Sequence, residues 1–360
     1  GYVLSGRWGC GDELFRDRTG ILLLAWTIVG AALINTLLAF ALHIAQQAAL
    51  FWYLEPHATG MVGTFLNRNH FALLQELALP LVAGIGLGAI RPGRRRSQGG
   101  SSPGERSSHD RNLLLLQLAS IGALVYCLAG LLLSHSRAGI ASGILALLLL
   151  AALSLLRSRR RHRTLWLWLV GLLMIVGILW ANRELFRVSH TYESIVERRD
   201  MSGRIRLAVW RDSLRLLGKY WATGAGMGAY SFTSPRYERA VAPDRVAHHA
   251  HNDWLEFLCE VGIPAAAVIL GSVILFLLRT GAALRKQKER LIQWIGFGAL
   301  MGLVAVALHE FFDYGLRAPG NVLLVAAALA VAKNCADYNK SAKRHVRSSR
   351  KALVAAIVAM

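Results

Sequence analysis

The stretch "NLLLLQLASIGALVYCLAGLLLSHSRAGIASGILALLLLAALSLLRSRRRHR", residues 112–163, holds two apolar runs, near 113–133 and 138–156. The tight turn Ser134–Arg137 joins them and a block of arginines closes the second. Each run has about the 20 residues that an α-helix needs to cross a bilayer. Runs of the same kind fall near 20–42, 70–90, 164–181, 261–278, 291–309 and 320–332. The spacing therefore predicts an all-α polytopic membrane protein with about eight transmembrane helices.

Composition agrees. The 360 residues are 54% hydrophobic and 17% charged, with mean hydropathy +0.41, against about 25% charged in soluble domains. The net charge of +20 would suggest nucleic acid in a soluble protein. Here the basic residues stand in blocks between apolar runs, so nucleic acid is not expected as a partner. The blocks are 91–111, 157–163 ("RSRRRHR"), 279–290 and 333–351. Each follows every second span, as cytoplasmic loops do. The Gly/Ser/Pro-rich block 91–111 reads as a flexible linker. The opposite side, the periplasm or cell exterior, receives 43–69, 134–137, 310–319 and the long segment 182–260. The expected organisation is a five-span bundle over 1–181, a large periplasmic loop with short helices over 182–260, further spans over 261–332, and a basic cytoplasmic tail over 333–360. The four cysteines, Cys10, Cys127, Cys259 and Cys335, form no CxxC and read as small core residues.

Four segments bring polar chemistry to the periplasmic side. "HHAHNDWLEFLCEVG" (248–262) packs three histidines into four residues. Its HAHND portion opens like a dinuclear zinc motif, but Trp254 stands where the next histidine would be. Two histidines at i and i+2 also point apart on a helix, so no metal is expected. A histidine facing an aqueous cavity is a ready general base near neutral pH. In "SGRIRLAVWRDSLRLLG" (202–218), a helix that Ser202 could cap, Arg204, Arg211 and Arg215 fall within about 20° of one line. That arginine stripe suits phosphate oxygens; a solvated face or anionic headgroups would suit it too. "WATGAGMGAYSF" (221–232) reads as a simple tight turn, with amides facing an anion as the alternative. "GTFLNRNHFALLQE" (63–76) places Asn67, Arg68, Asn69 and His70 at a span mouth, with Glu76 about two turns further in. Such an intramembrane Glu is a functional candidate. Arg137 in "SHSRAG", expected near the membrane, calls for an anionic partner. "HEFFDYGLRAP" (309–319) adds His309, Glu310, Asp313 and Arg317 to the same side.

The order "TFLNRNHFA", "SHSRAG", "GRIRLAVWRDSL…WATGAGMGAY", "HNDWLEFLCEVG" and "HEFFDYGLRAP" resembles the O-antigen ligase and polymerase superfamily of bacterial envelope proteins, over residues 60–330 or so. The ligase pattern H-[NSQ]-x9-G-x-x-[GTY] is met by His251, Asn252 and Gly262, with Ala265 departing at its last position. The resemblance implies an inner-membrane protein that transfers sugar on the periplasmic side without metal or other cofactor. The donor would be an undecaprenyl-diphosphate-linked glycan, and the acceptor a sugar hydroxyl of lipid A–core or of a growing glycan. His251 would be the base, with Arg204 and Arg137 on the diphosphate. Arg211, Arg215, Asn252, Asn67, Asn69, His70 and His309 would line the substrate site. Family members carry more spans before the "NRNH" element, so spans are expected ahead of Gly1. Ligase and polymerase share this chemistry, and a transporter or flippase of lipid-linked glycans is the rival from another class, with Glu76 as its feature.

Overall fold

The computed structural model describes residues 17–45, 61–65, 67–90, 103–157, 193–238 and 248–358, and of these not the side chains at 43, 103–109, 193–204 and 340–358. Among the described residues, nine longer helices carry the fold: α1 (Arg18–Ile44), α2 (Arg68–Ala89), α3 (Pro103–Leu133), α4 (Arg137–Arg157), α5 (Glu193–Tyr220), α6 (Asp253–Val261), α7 (Ile263–Arg285), α8 (Arg290–His309) and α9 (Pro319–Val358). There is no strand among the described residues. Among the described residues, seven helices are long and apolar enough to cross a membrane: α1, α2, α3, α4, α7, α8 and the first half of α9. Each holds one of the expected runs. The eighth, 164–181, lies outside the described residues.

Three boundaries differ from the sequence reading. Helix α3 begins at Pro103, so the second part of the supposed linker 91–111 is helical. Helix α5 begins at Glu193, a full nine residues before Ser202. The last span covers Pro319–Asn339, and its helix runs on to Val358 through the basic tail. In each case polar and charged residues extend a helix past its apolar pattern, and periodicity of apolar residues cannot mark such an end.

The bundle is built around α2 and α8. The apolar window of α2 is 94% buried and that of α8 78%, whereas that of α7 is 11% buried and faces outward. Glycines let the two central helices approach. A Cβ on Gly84 would lie 2.3 Å from the Trp294 carbonyl oxygen, and one on Gly302 would lie 2.6 Å from that of Leu77. Gly88 and Gly298 meet Leu291 and Pro80 as closely. In a bilayer such backbone contact supplies the dispersion that hydrophobicity cannot, because lipid tails are as apolar as leucine.

The two ends of the bundle differ in chemistry. At one end, Arg18 pairs with Glu289 at 3.5 Å, Arg157 donates to the Arg285 carbonyl at 3.0 Å, and Arg290 donates to the Leu87 carbonyl at 3.3 Å. Exposed Arg285, Lys286 and Lys288 add to this basic rim. At the other end lie the 61–65 loop, the 134–136 turn, α5, α6 and the 310–318 turn. Met61 N–H donates to the Leu133 carbonyl (3.1 Å), and Trp254 Nε1 donates to the Ala307 carbonyl (2.9 Å), fastening these pieces to α3 and α8.

Candidate active site

Asn252 sets the geometry. Its side-chain oxygen caps α6 by accepting from Leu255 N–H at 3.0 Å, the ordinary use of Asn at a helix start. The residue before it, His251, has φ +50°, a left-handed backbone that is uncommon outside glycine. Neighbours on both sides over-determine that conformation. The Ala250 N–H donates to Glu256 Oε2 (2.8 Å), its carbonyl accepts from Trp210 Nε1 (2.9 Å), and the Asp253 N–H is shared by the Glu310 and Asp313 carbonyls (2.9 and 3.0 Å). Strain maintained in this way marks functional sites.

The imidazole so aimed meets the 310–318 turn. His251 Nδ1 is buried, has no hydrogen-bond partner, and lies 3.9 Å from Asp313 Oδ1. Both Asp313 carboxylate oxygens are also buried without partners. Burial acts to raise the Asp313 carboxyl, but the His251, His309 and His70 imidazoles outweigh it and hold the group below the ordinary aspartate value. Tyr314 stands at the centre of three histidines. Its ring stacks on His249 (4.3 Å, 15°) and meets His70 and His251 edge-on, each at 5.0 Å. Burial, then the Asp313 charge, pushes its phenol upward.

A clamp of charges holds α6 over this turn. Arg317 reaches Asp253 (3.1 Å), Glu256 (3.4 Å) and Glu260 (2.9 Å), three carboxylates on one face of α6. Burial lowers its affinity for the proton, yet Glu260 and Glu256 overcome this and raise it. Beside the clamp, burial and then the Asp253 carboxyl push Glu310 up to about 10.

A groove of about 940 Å³ opens beside Tyr314, lined by Asn67, Arg68, His70, His249 and Arg317, with apolar walls from Val62, Phe65, Leu74 and Leu324. Asn67 caps α2 by accepting from Asn69 N–H at 2.8 Å and also bonds the Tyr314 hydroxyl. His70 Nε2 is buried without a partner. Below the groove, His309 Nδ1 meets Glu76 Oε1 at 2.7 Å, and the Ser142 hydroxyl donates to the other oxygen of Glu76.

Of the residues singled out in the sequence, His251, His70, Asn67 and His309 converge at this end, with Asn252 committed to its cap. Asn69 stands beside them at the start of α2, contributing its backbone N–H to the Asn67 cap. The arginine stripe does not converge. Val209, Ser213 and Leu216 form the buried face of α5, and Arg211 and Arg215 are exposed on the far side, Arg215 paired with Asp212. Arg204 shares their line, but its side chain is outside the described residues. Arg206 is the arginine that acts on His309 and Tyr314 electrostatically. Placing the apolar face of α5 inward, instead of grouping its arginines, would have selected it. Arg137 is exposed at the start of α4, with no ion pair to a described carboxylate. The turn after α5 also differs from the anion-facing reading. Its Ala225 and Gly226 N–H groups donate to the Cys259 and Glu260 carbonyls, both at 2.9 Å, and so cap the end of α6. Asp313, Tyr314 and Arg317 were visible in "HEFFDYGLRAP" but gave no periodic or spacing signal of their own. No three described His, Cys, Asp or Glu side chains are grouped to hold a metal ion.

No curated protein matches the chain. Residues 122–270, from the middle of α3 to the first turns of α7, match the family model described as O-antigen ligase. That segment contains Arg137, Arg206, His251 and Gly262, and the match supports a likeness to the O-antigen ligase family.

Proposed function

We propose that the protein transfers a glycan from undecaprenyl diphosphate to a sugar hydroxyl on the periplasmic face of the inner membrane. The observation that carries this reading is His251, held in a left-handed backbone with Nδ1 turned to the buried Asp313 carboxylate. This leaves Nε2 to take the acceptor proton, with Asp313 fixing the tautomer and favouring the imidazolium that forms. The acceptor oxygen attacks the anomeric carbon as the bond to the diphosphate breaks. The electron pair leaves with the lipid diphosphate, and arginines offset the developing charge. Arg206 and Arg68, which line or act on the site, join Arg137 and Arg204 in that role. Arg137, exposed at the start of α4, would meet the diphosphate at the membrane mouth. The groove beside Tyr314 accommodates sugar on its aromatic and amide surface. Glu76, the feature favouring a transporter, is satisfied by His309 and Ser142, so transport is not the preferred reading.

The test is transfer in reconstituted vesicles, with lipid-linked glycan and rough lipopolysaccharide extracted from the host as substrates. His251→Gln is expected to lower kcat at least about 100-fold, the lower range for loss of general acid–base help, with the fold intact. Wild-type turnover in that variant refutes the reading. In cells, accumulation of lipid-linked polymer on gene deletion identifies a ligase, and retention of single repeat units identifies a polymerase.

A further inference from the structure

Glu256, buried on α6, binds two consecutive residues of the segment before it. Its Oε2 accepts from the Ala250 N–H at 2.8 Å, and its Oε1 meets His249 Nδ1 at 3.0 Å. The Arg317 guanidinium lies 3.4 Å from the same Oε1. Both oxygens therefore act as acceptors, which puts the hydrogen of the neutral His249 ring on Nδ1 and the lone pair on Nε2. The ring is fixed in direction as well as in tautomer, because it stacks on Tyr314 at 4.3 Å and 15°. Its side chain is nonetheless 34% exposed. Between His249 and His251, which both pack on Tyr314, it is His249 that lines the groove. Packing alone does not call for this arrangement. A phenyl ring would stack on Tyr314 as well, and the Ala250 bond already fastens the segment to α6. The imidazole adds a buried charge-assisted hydrogen bond on one side and an acceptor for the groove on the other. A few polar groups so placed are what orients a ligand in an otherwise apolar pocket.

We propose that His249, set by Glu256, is a specificity residue of the groove that receives a hydrogen bond from a sugar hydroxyl. The hydroxyl donates to Nε2 while Nδ1–H donates to Glu256. No proton is transferred and no bond of the substrate changes, in contrast to the role given to His251. His249 touches the substrate, and Glu256 is a positioning residue that acts through it. A donor glycan and an acceptor sugar both present such hydroxyls, and the two are separated by measuring each. The inference rests on the glycosyl-transfer reading, but its test requires binding and not turnover.

The experiment measures equilibrium binding of lipid-linked glycan and of rough lipopolysaccharide, each extracted from the host, to the full chain in detergent. The melting temperature of every variant is recorded beside it. His249→Phe keeps the stack, His249→Asn keeps an amide near Nδ1 for Glu256, and His249→Gln keeps an amide oxygen near Nε2 for the groove. His249→Phe and His249→Asn are expected to weaken one of the two glycans about three- to tenfold, the range for one hydrogen bond. The other glycan, and both glycans in His249→Gln, should stay within about twofold of wild type. The glycan that weakens identifies the sugar that is read. If the ring only packs, the order reverses: His249→Phe binds like wild type and His249→Gln is the damaged variant. That order overturns the inference, as do wild-type affinities throughout, or losses for both glycans that follow the melting temperature. Glu256→Gln, which no longer dictates the tautomer, should weaken the same glycan and add nothing in the His249→Phe background. An additive loss removes its positioning role. If His251→Gln loses transfer while His249→Phe binds normally, this inference alone falls. If His251→Gln turns over like wild type while the His249 pattern holds, the transfer reading alone falls.

Discussion

Glu310 is the carboxyl that this site keeps neutral. It is 0% exposed, it accepts from Gly315 N–H at 2.8 Å, and burial, together with the neighbouring Asp253 carboxyl, raises it from 4.5 to about 10. The folded protein therefore holds a proton that the unfolded chain releases. Its contribution to stability is fully present below about pH 4.5 and is lost as pH rises toward about 10. The slope is at most about 1.4 kcal/mol per pH unit for one group. Burial raises Asp253 as well and steepens the fall, whereas Asp313, held low by its imidazoles, works the other way. The Glu310→Gln variant keeps the shape without the ionisation. Its melting temperature in detergent should fall less than that of the wild type between about pH 6 and about pH 9. Parallel declines would mean that Glu310 ionises freely. Such a residue cannot be told from Asp313 in "HEFFDYGLRAP", three positions apart in sequence. Only the folded turn, which buries one carboxyl against another carboxyl and the other against imidazoles, separates their roles.

At the level of elements, the join between α6 and α7 decides where His251 stands. Gly262 sits at φ +79° and ψ 161°, a region essentially closed to residues with a side chain. A Cβ there would lie 2.8 Å from Gly224 N and 2.9 Å from the Ala222 carbonyl. The turn after α5 is thus pressed against this join, and Ile263 N–H donates to the Trp221 carbonyl at 2.7 Å. Gly262→Ala should cost about 1–3 kcal/mol from the backbone alone, and more from the contact. A lower melting temperature with a larger loss of kcat than of donor affinity is expected, since α6 begins at the Asn252 cap that directly follows His251. Unchanged values on both counts would show that the join yields. The sequence pattern made α6, its Asn252 cap and the importance of Gly262 readable, because caps and glycine turns are local. It misassigned α5 because a helical wheel shows which residues share a face and not which face turns inward. Arg204, Arg211 and Arg215 make a stripe, but the neighbours of Val209 and Leu216 determine the buried side, and they come from α6 and the 248–250 segment, far away in the chain.

Across the whole molecule, the spans were legible because a bilayer imposes one length and one composition on every crossing. Their partners were not, because α2 and α8 lie about two hundred residues apart, as the Arg290 bond to Leu87 illustrates, and the four-residue spacing of Gly84 and Gly88, and of Gly298 and Gly302, marks a close-packing face without saying which helix it meets. The separation of charge has a further consequence. Arg18, Arg157, Arg285, Lys286, Lys288 and Arg290 gather at one end of the bundle, while the histidines and carboxylates of the site occupy the other. Each Lys or Arg near an anionic leaflet contributes about 1 kcal/mol, so this rim is expected on the cytoplasmic side, an orientation that would turn the site outward. Met227, 70% exposed beside the site, and Lys286, exposed on the basic rim, report the two faces. Cys127, Cys259 and Cys335 are buried and give little background in a Cys10→Ser chain. In spheroplasts, a membrane-impermeant maleimide should label Met227→Cys directly and Lys286→Cys only after the membrane is opened. The opposite pattern would put the histidine site in the cytoplasm and overturn the proposed transfer on the periplasmic face.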